Sequence, residues 1–291
     1  MSTDNAKRKE SFEIEYLSDN GTPRPFLKWA GGKRQLLAEL QSRVPESYST
    51  YYEPFVGGGA LFFKLRPKRA YLSDLNPELI NAYEVIKASV DRLIRDLKKH
   101  VYEEEYFYTI RNVDRTGAFQ KWSDVRRASR LIYLNKTCFN GLYRVNSKGH
   151  FNAPFGRYTD PAIFDPENLH ACSHVLSRAR VVIASYLEIE KSITKEDFAY
   201  FDPPYAPING TSYFTDYSKE GFDNGMQKEL RDLCRRLDRR GIKFMVSNSD
   251  VELINDLYKG FNIEQVFASR AINSNSAKRG KITELIIRNY D

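Results

Sequence analysis

Phe201-Asp202-Pro203-Pro204-Tyr205 gathers a carboxylate, two prolines and an aromatic ring within five residues. The run before it, Asp197-Phe198-Ala199-Tyr200, reads as the end of a buried strand, and Pro203-Pro204 forbids that strand to continue. Asp202 is therefore expected on a stiff turn at a strand's carboxyl end, the edge where open α/β sheets bind ligands. A carboxylate and proline-stiffened carbonyls can accept the N–H bonds of an exocyclic amino group on a planar ring. Tyr205 offers that ring a face to stack on. The bland alternative is a plain turn, because Asp and Pro dominate turns for local reasons.

A second motif upstream weighs against the plain turn. Tyr51-Tyr52-Glu53-Pro54-Phe55 reads as a strand, Val56-Gly57-Gly58-Gly59-Ala60 as a glycine turn, and Leu61, Phe62, Phe63 and Leu65 as a helix. Glycines let the chain turn sharply and let a ligand approach the backbone. The next strand, Ala70-Tyr71-Leu72-Ser73, runs into Asp74, 19 residues after Phe55. An acidic residue at about that distance can hold the two hydroxyls of a ribose, which points to a nucleoside-containing cofactor. The full Gly-x-Gly-x-x-Gly spacing is missing, which argues against a dinucleotide. Earlier still, Phe26-Leu27-Lys28-Trp29-Ala30-Gly31-Gly32-Lys33 precedes Leu36, Leu37, Leu40 and Val44 at helical spacing. This predicts a glycine loop opening a helix, with Lys33 adding charge where helix amides attract anions.

The elements that must position these groups are legible in outline. Residues 1–22 are polar and charged and read as a mobile tail. From Pro77 to Leu134 the pattern is helical without strand-like alternation, which predicts an inserted subdomain between two α/β halves. Ser147-Lys148-Gly149 predicts a hairpin turn between Leu142–Asn146 and His150–Ala153. A ribbon carrying Arg144, Lys148 and Arg157 beside Phe139, Asn140, Phe151 and Tyr158 has the chemistry to enter a DNA groove. An ordinary solvated hairpin is the competing reading. After Pro166 the α/β alternation resumes, with strands at 180–185, 198–201, 243–248, 263–268 and 282–288 and a polar loop from Arg270 to Lys281. A basic helix from Met226 to Arg240 reads as a solvated face. Seven strands are counted from Tyr51 onward.

Composition narrows the partners. The chain of 291 residues carries 45 Lys and Arg against 38 Asp and Glu, a net +7 that favours an anionic partner such as nucleic acid. Its 19 Tyr and 18 Phe suit base stacking as well as core packing. Cys138, Cys172 and Cys234 lack CxxC spacing, and His100, His150, His170 and His174 form no ligand pattern, so neither a disulfide framework nor a metal site is expected. No stretch approaches 18 apolar residues, and a soluble, cytoplasmic protein without a membrane partner is expected.

Taken together, these segments resemble the DNA adenine-N6 methyltransferases of the Dam type, the D12 class. The resemblance spans residues 25–290 and rests on five motifs: 26–33, Glu53–Gly59, Asn140–Asn146, Phe151–Tyr158 and Asp202–Tyr205. Their order, cofactor loop, recognition region and then catalytic tetrapeptide, is that of the family's α group. It implies a Rossmann-like sheet of seven strands with the last antiparallel, and S-adenosylmethionine over the strands' carboxyl ends. The catalytic domain would comprise residues 23–76 and 165–291, and a helical target-recognition domain with its β-hairpin would span 77–164.

Carried over by position, Trp29, Ala30, Gly31, Gly32 and Lys33 surround the cofactor's methionine end. Phe55 and Gly57 line its middle, Asp74 takes the ribose, Ser185 and Tyr186 flank its adenine, and Asp202 also borders it. The target adenine is flipped from the duplex. Asp202 and the Pro203 carbonyl then accept its N6 hydrogens within the Asp202-Pro203-Pro204-Tyr205 corner, and Tyr205 stacks on the ring. Arg144 reads a guanine of GATC, Phe139 and Asn140 act at the gap, and Leu142 contacts the site through its apolar side chain. Asn146, Lys148, Pro154 and Tyr158 complete the DNA-binding set. The position of Phe139 is held by tyrosine in some relatives. The implied enzyme is a site-specific, adenine-specific DNA methyltransferase that acts on double-stranded DNA, as a monomer or weak dimer, with a companion restriction endonuclease in view. Two rivals remain at this level: a methyltransferase of RNA or of protein glutamine, and a DNA-binding module that has lost catalysis.

Overall fold

The computed structural model describes residues 21–33, 35–207, 222–269 and 281–291. Most of the expected tail (residues 1–20) and most of the expected 270–281 loop lie outside these residues, as does Arg34.

Seven strands form one mixed sheet in the order β3-β2-β1-β4-β5-β7-β6. They are β1 (Tyr51–Glu53), β2 (Ala70–Asp74), β3 (Ala179–Ile183), β4 (Phe198–Phe201), β5 (Lys243–Ser249), β6 (Asn262–Ser269) and β7 (Lys281–Arg288). β1 pairs in parallel with β2 and with β4, so the strand order reverses between β1 and β4. Such a reversal opens a crevice at the carboxyl ends. β7 runs antiparallel to both β5 and β6, in the place expected for the last strand.

The side chains alternate between the two faces with the strand period of two. Tyr51, Tyr200, Met245 and Ile286 join one core cluster. Their neighbours Tyr52, Ala199, Phe201, Phe244, Val246, Leu285 and Ile287 join the other. Helix α7 (Asn224–Arg239) covers the second face with Leu230, Leu233, Cys234 and Leu237, assisted by Ile254 and Leu257 of α8 (Glu252–Leu257). Its charged side is exposed, as an amphipathic helix requires.

The first face is covered by α1 (Leu37–Gln41), α2 (Ala60–Leu65), α3 (Pro77–Leu97) and α6 (Pro166–Leu176). Asn76 and Asp165 cap α3 and α6 through side-chain bonds to first-turn amides, and Pro follows each cap. The packing does not divide at residues 76 and 77. Leu79, Ile80, Tyr83, Ile86 and Leu93 of α3 share a cluster with Leu72, Val181 and Tyr200 of the sheet, because helical spacing gives α3 an apolar face wide enough to bury there. A distinct cluster begins only with Phe107 and Ile110 of α4 (Glu104–Asn112) and closes on Phe151 and Ala153. Helix α5 (Asp124–Thr137) belongs to both, with Ala128, Leu131 and Ile132 in the sheet's core and Tyr133 and Leu134 in the smaller one.

The hairpin differs from its expected form. The turn closes at Gly149, which has φ of +77° and donates to the Asn146 carbonyl at 2.9 Å. The arms, however, share only the single bridge of Val145 with Phe151 and form no regular strands. Side chains from outside the hairpin also hold its second arm at Phe151. Asp114 accepts the Phe151 N–H at 2.7 Å and pairs with Arg130 at 2.8 Å, while Arg115 donates to the Phe151 carbonyl at 2.9 Å.

Tyr83 ties α3 to the glycine turn: its buried hydroxyl donates to the Gly57 carbonyl at 3.0 Å. Tyr83→Phe leaves that carbonyl without its donor and is expected to cost about 1 kcal/mol of stability. Urea denaturation of the folded variant checks this value.

Candidate active site

Because β2, β1 and β4 run parallel, the residues after their carboxyl ends meet on one edge of the sheet. Asp74, the Pro54–Gly59 turn and the Asp202–Tyr205 corner are therefore neighbours there, although 128 positions separate Asp74 from Asp202 in the chain. The expected corner stands where the sequence places it. β4 stops at Phe201, Pro203 is buried, and Pro204 is exposed with its carbonyl accepting the Gln227 side-chain amide at 3.0 Å. Asn248 continues this bracing, donating to Gln227 and accepting the Ala206 N–H at 3.0 Å.

The Asp202 carboxylate is held from two sides. Ser247 on β5 donates to its Oδ1 at 2.8 Å and lies 2.9 Å from the Tyr200 hydroxyl. The Lys33 ammonium approaches the same oxygen at 2.8 Å, with only 7% of its side chain exposed. This departs from the expectation for Lys33. The helix that follows it in the chain, α1, is five residues long and begins at Leu37, and the ammonium turns to Asp202. It folds back to the Gly31 carbonyl at 2.6 Å and lies 4.4 Å from the centre of the Tyr205 ring. Coulomb attraction to a poorly solvated carboxylate, joined by the negative face of an aromatic ring, outweighs a short helix's amides. The Tyr205 hydroxyl donates to Glu284 of β7 at 2.7 Å, which fixes the ring's plane. Burial, with Asp202 nearby, pushes the Tyr205 phenol well above its ordinary range, so it stays a neutral donor.

The glycine turn forms a cradle beside this corner. Gly57 has φ of +45°, and a Cβ added there would lie 2.8 Å from the Trp29 indole. Its N–H points to Asp74 Oδ2 at 3.3 Å, and Asp74 Oδ1 accepts the Asn76 N–H at 2.9 Å. Burial raises the Asp74 carboxyl above its usual range, and these backbone bonds oppose the rise. Phe55 and Tyr186 stack with centroids 5.1 Å apart at 23°. Ser185 uses its hydroxyl to cap the turn at Tyr186–Lys191, and Tyr186 donates to Glu229 at 2.5 Å. Ala30, Gly31 and Gly32 are exposed in the loop between Trp29 and Lys33, where Gly32 closes a turn onto the Trp29 carbonyl at 3.1 Å.

Ser247, Glu284, Asn248 and Gln227 were not singled out from the sequence, because they reach the corner from strands and a helix far along the chain. Glu53 was quoted only as part of a motif. It is buried, accepts from the Tyr51 hydroxyl at 2.9 Å, and its carboxyl is raised to about 8. Burial is the main cause; the Tyr51 bond opposes it and the Asp202 charge adds to it. A carboxylate at a strand's inward end was the available signal for it.

The recognition candidates sit at a neighbouring junction. Phe139 and Leu142 are apolar yet 54% and 39% exposed, in a turn whose Asn140 takes φ of +58°. Arg144 is exposed, with Nε donating to the Asn152 side chain at 2.6 Å and an Nη to the Asn152 carbonyl at 3.1 Å. Lys148 and Pro154 are exposed, and the Pro154 carbonyl accepts the Phe139 N–H at 2.9 Å. Asn146 spends its side-chain Oδ1 on the hairpin turn, accepting the Lys148 and His150 N–H groups at 3.0 Å. Tyr158 donates to the Cys138 carbonyl at 2.9 Å and receives the Lys28 ammonium 5.5 Å from its ring centre. Lys28 was not singled out, since one lysine in an apolar run carries no periodic signal.

A doubly flanked α/β sheet with a glycine turn, an acidic residue after β2 and an Asp-Pro-Pro-Tyr corner after β4 defines a Rossmann-like S-adenosylmethionine-dependent methyltransferase. The profile of the D12 class N6 adenine-specific DNA methyltransferases matches residues 29–272, and the chain belongs to that family. It is 47% identical over 272 residues to the Type II methyltransferase M1.LlaDCHI of Lactococcus lactis subsp. cremoris, covering 92% of this chain and 95% of that one. It is 42% identical to the Type II methyltransferase M.MjaIII of Methanocaldococcus jannaschii, covering 92% and 99%. With a DNA adenine methylase of Vibrio cholerae it shares 37% identity, over 90% and 95% of the two chains.

The protein is thus an adenine-specific DNA methyltransferase that uses S-adenosylmethionine. The cradle suits that cofactor: side-chain-free backbone at Gly57, a carboxylate at Asp74 able to take hydroxyls, and an aromatic pair at Phe55 and Tyr186.

Glu53 gives the site a pH signature. Its folded value near 8 exceeds the ordinary 4.5, so from pH 4.5 upward the unfolded chain ionises while the fold keeps its proton. Stability from this group is fully present below 4.5 and is lost as pH rises toward 8. Glu53→Gln is expected to flatten the fall in stability between pH 5 and 8 relative to the parent. Urea midpoints measured at each pH decide it; parallel profiles for the two proteins would place an ionised Glu53 in the fold.

Proposed function

We propose that the enzyme methylates adenine N6 within GATC in duplex DNA, using the Asp202-Pro203-Pro204-Tyr205 corner on an extruded base. The observation that carries this reading is the Asp202 carboxylate: it is braced by Ser247 and Lys33, faced by the Tyr205 ring, and on the same sheet edge as the Gly57 and Asp74 cradle. An aromatic amino group is a weak nucleophile because its lone pair is delocalised into the ring. Asp202 and the Pro203 carbonyl accept the two N6 hydrogens and hold them toward tetrahedral geometry, which localises that pair. Tyr205 fixes the ring's plane by stacking. These groups act through orientation and electrostatics. S-adenosylmethionine, when bound, supplies an electrophilic methyl group on its sulfonium.

By position, Trp29, Ala30, Gly31, Gly32 and Lys33 border the methionine end of the cofactor, Phe55 and Gly57 its middle, Asp74 its ribose, and Ser185 and Tyr186 its adenine. Lys33 has a second task in this reading, since its ammonium already neutralises Asp202. On the DNA side, residues 77–164 supply target recognition. Arg144 reads a guanine, Phe139 and Asn140 act at the gap, Leu142 contacts the site, and Lys148, Pro154 and Tyr158 line the approach. Asn146 acts through the turn that it closes. The names of the relatives support two settings: modification beside a companion endonuclease, and stand-alone methylation. The first is favoured by the higher identity to the Type II relatives. A cytoplasmic monomer or weak dimer completes the reading; among the described residues no helix is long and apolar enough to cross a membrane.

Asp202→Ala, and the isosteric Asp202→Asn, are expected to abolish methyl transfer while S-adenosylhomocysteine still binds within a few-fold of the parent. Tritium transfer and calorimetry measure the two, and normal turnover by either variant removes Asp202 from the mechanism. Arg144→Ala is expected to lose about 1–3 kcal/mol of discrimination at one base pair of the site. Single-molecule sequencing of DNA treated with the parent and the variant reports both the motif and the relaxed position; a uniform loss on all sequences would mark Arg144 as a phosphate contact.

A further inference from the structure

The loop that borders the cofactor cradle and the turn that carries the exposed Phe139 and Leu142 are joined by one buried amide. Asn135, in the last turn of α5, has no exposed surface. Its Oδ1 accepts the Lys28 N–H at 2.8 Å, and its Nδ2 donates to the Lys28 carbonyl at 2.8 Å and to the Gly141 carbonyl at 2.9 Å. Lys28 immediately precedes Trp29, and Gly141 closes the Phe139-Asn140-Gly141 turn. Both donors of the side chain are spent, one on each segment, so neither segment can shift alone without stranding a buried polar group.

The surroundings leave no slack in this joint. Gly141 has φ of +65°, and a Cβ there would lie 2.4 Å from Cδ of Lys28. The Trp29 indole stacks on Tyr143 at 5.2 Å and 21°, and its Cδ1–Nε1 edge lies against Gly57. A continuous rigid path therefore runs from the Phe139–Leu142 turn through Asn135 and Lys28 to Trp29 and the floor of the cradle. Packed interiors transmit displacement rather than absorb it.

We propose that Asn135 is a positioning residue that couples engagement of the DNA target to the cofactor loop. It touches neither substrate nor cofactor; it fixes the Lys28 backbone against Gly141, so that seating the 139–142 turn on DNA also sets the placement of residues 28–33. The inference rests on the reading that this turn contacts DNA. By linkage, the same joint makes a ligand in the cradle alter the affinity for DNA by the same factor.

The test uses the full chain, S-adenosylhomocysteine and a duplex carrying the motif that the parent methylates. The affinity for S-adenosylhomocysteine is measured without and with saturating duplex, and the ratio of the two is the readout. In the parent the ratio is expected to depart from one by at least about fivefold. In Asn135→Ala it is expected to fall within about twofold of one, with each ligand alone still binding. A ratio retained in the variant, or affinities that fall by equal factors with the ratio intact, would assign Asn135 a merely structural role and overturn the proposal.

Hydrogen exchange in the unmutated protein decides the matter if the variant does not fold. S-adenosylhomocysteine alone is expected to slow exchange in residues 139–143, and unchanged exchange there overturns the coupling. A parent that binds neither ligand defeats the methyltransferase reading itself, an outcome distinct from the loss of coupling alone.

Discussion

The site depends on a buried charge pair. Lys33 places a nearly solvent-free ammonium 2.8 Å from Asp202, and the partners that hold the two come from four separated parts of the chain: Gly31, Ser247, Tyr205 and, behind Tyr205, Glu284. Removing one member of such a pair leaves the other's charge desolvated, which costs far more than a surface ion pair contributes. The arrangement therefore keeps Asp202 an acceptor in a fixed direction, as the chemistry of an amino group requires. It also fits a corner stiffened by proline and braced by the Gln227–Asn248 pair: in the proposed reading, a carboxylate and a neighbouring carbonyl that each accept one N–H bond gain nothing from freedom.

The sheet makes that pair possible. Parallel β2, β1 and β4 deliver Asp74, the glycine turn and the Asp-Pro-Pro-Tyr corner to one edge, and alternation along the strands buries each face under its own helices. Glu53 shows the cost of building an active site into such a core. It ends β1, just before Phe55 of the cradle, and burial raises its carboxyl to about 8. At neutral pH a protonated Glu53 adds no second negative charge beside Asp202.

The helical stretch proposed for recognition rests on the sheet rather than beside it. α3 shares the sheet's core, α5 packs in both that core and the smaller cluster behind the hairpin, and Asn135 at the end of α5 ties the two loops together. The hairpin's arms are joined by the bonds around the Val145–Phe151 bridge and by Arg144 to Asn152, and Asp114 and Arg115, with Arg130 behind Asp114, anchor the second arm at Phe151.

Motifs of local physics were legible in the residues alone. Proline stopping a strand at Asp202, glycines turning the chain after Glu53, and the seven strands all follow from neighbours in sequence, because backbone stereochemistry and local burial act over a few residues. The family resemblance and the profile match agree with that reading.

What only the tertiary structure decided were pairings between groups that the sequence places in different segments of the chain. Lys33 turned from a helix start to Asp202, α3 joined the sheet's core, Glu284 oriented Tyr205, and Asn135 bridged Lys28 to Gly141. Each is a long-range contact chosen by desolvation and geometry in the folded chain. Residue type and spacing determine which groups can make such contacts, and the fold alone determines which of them do.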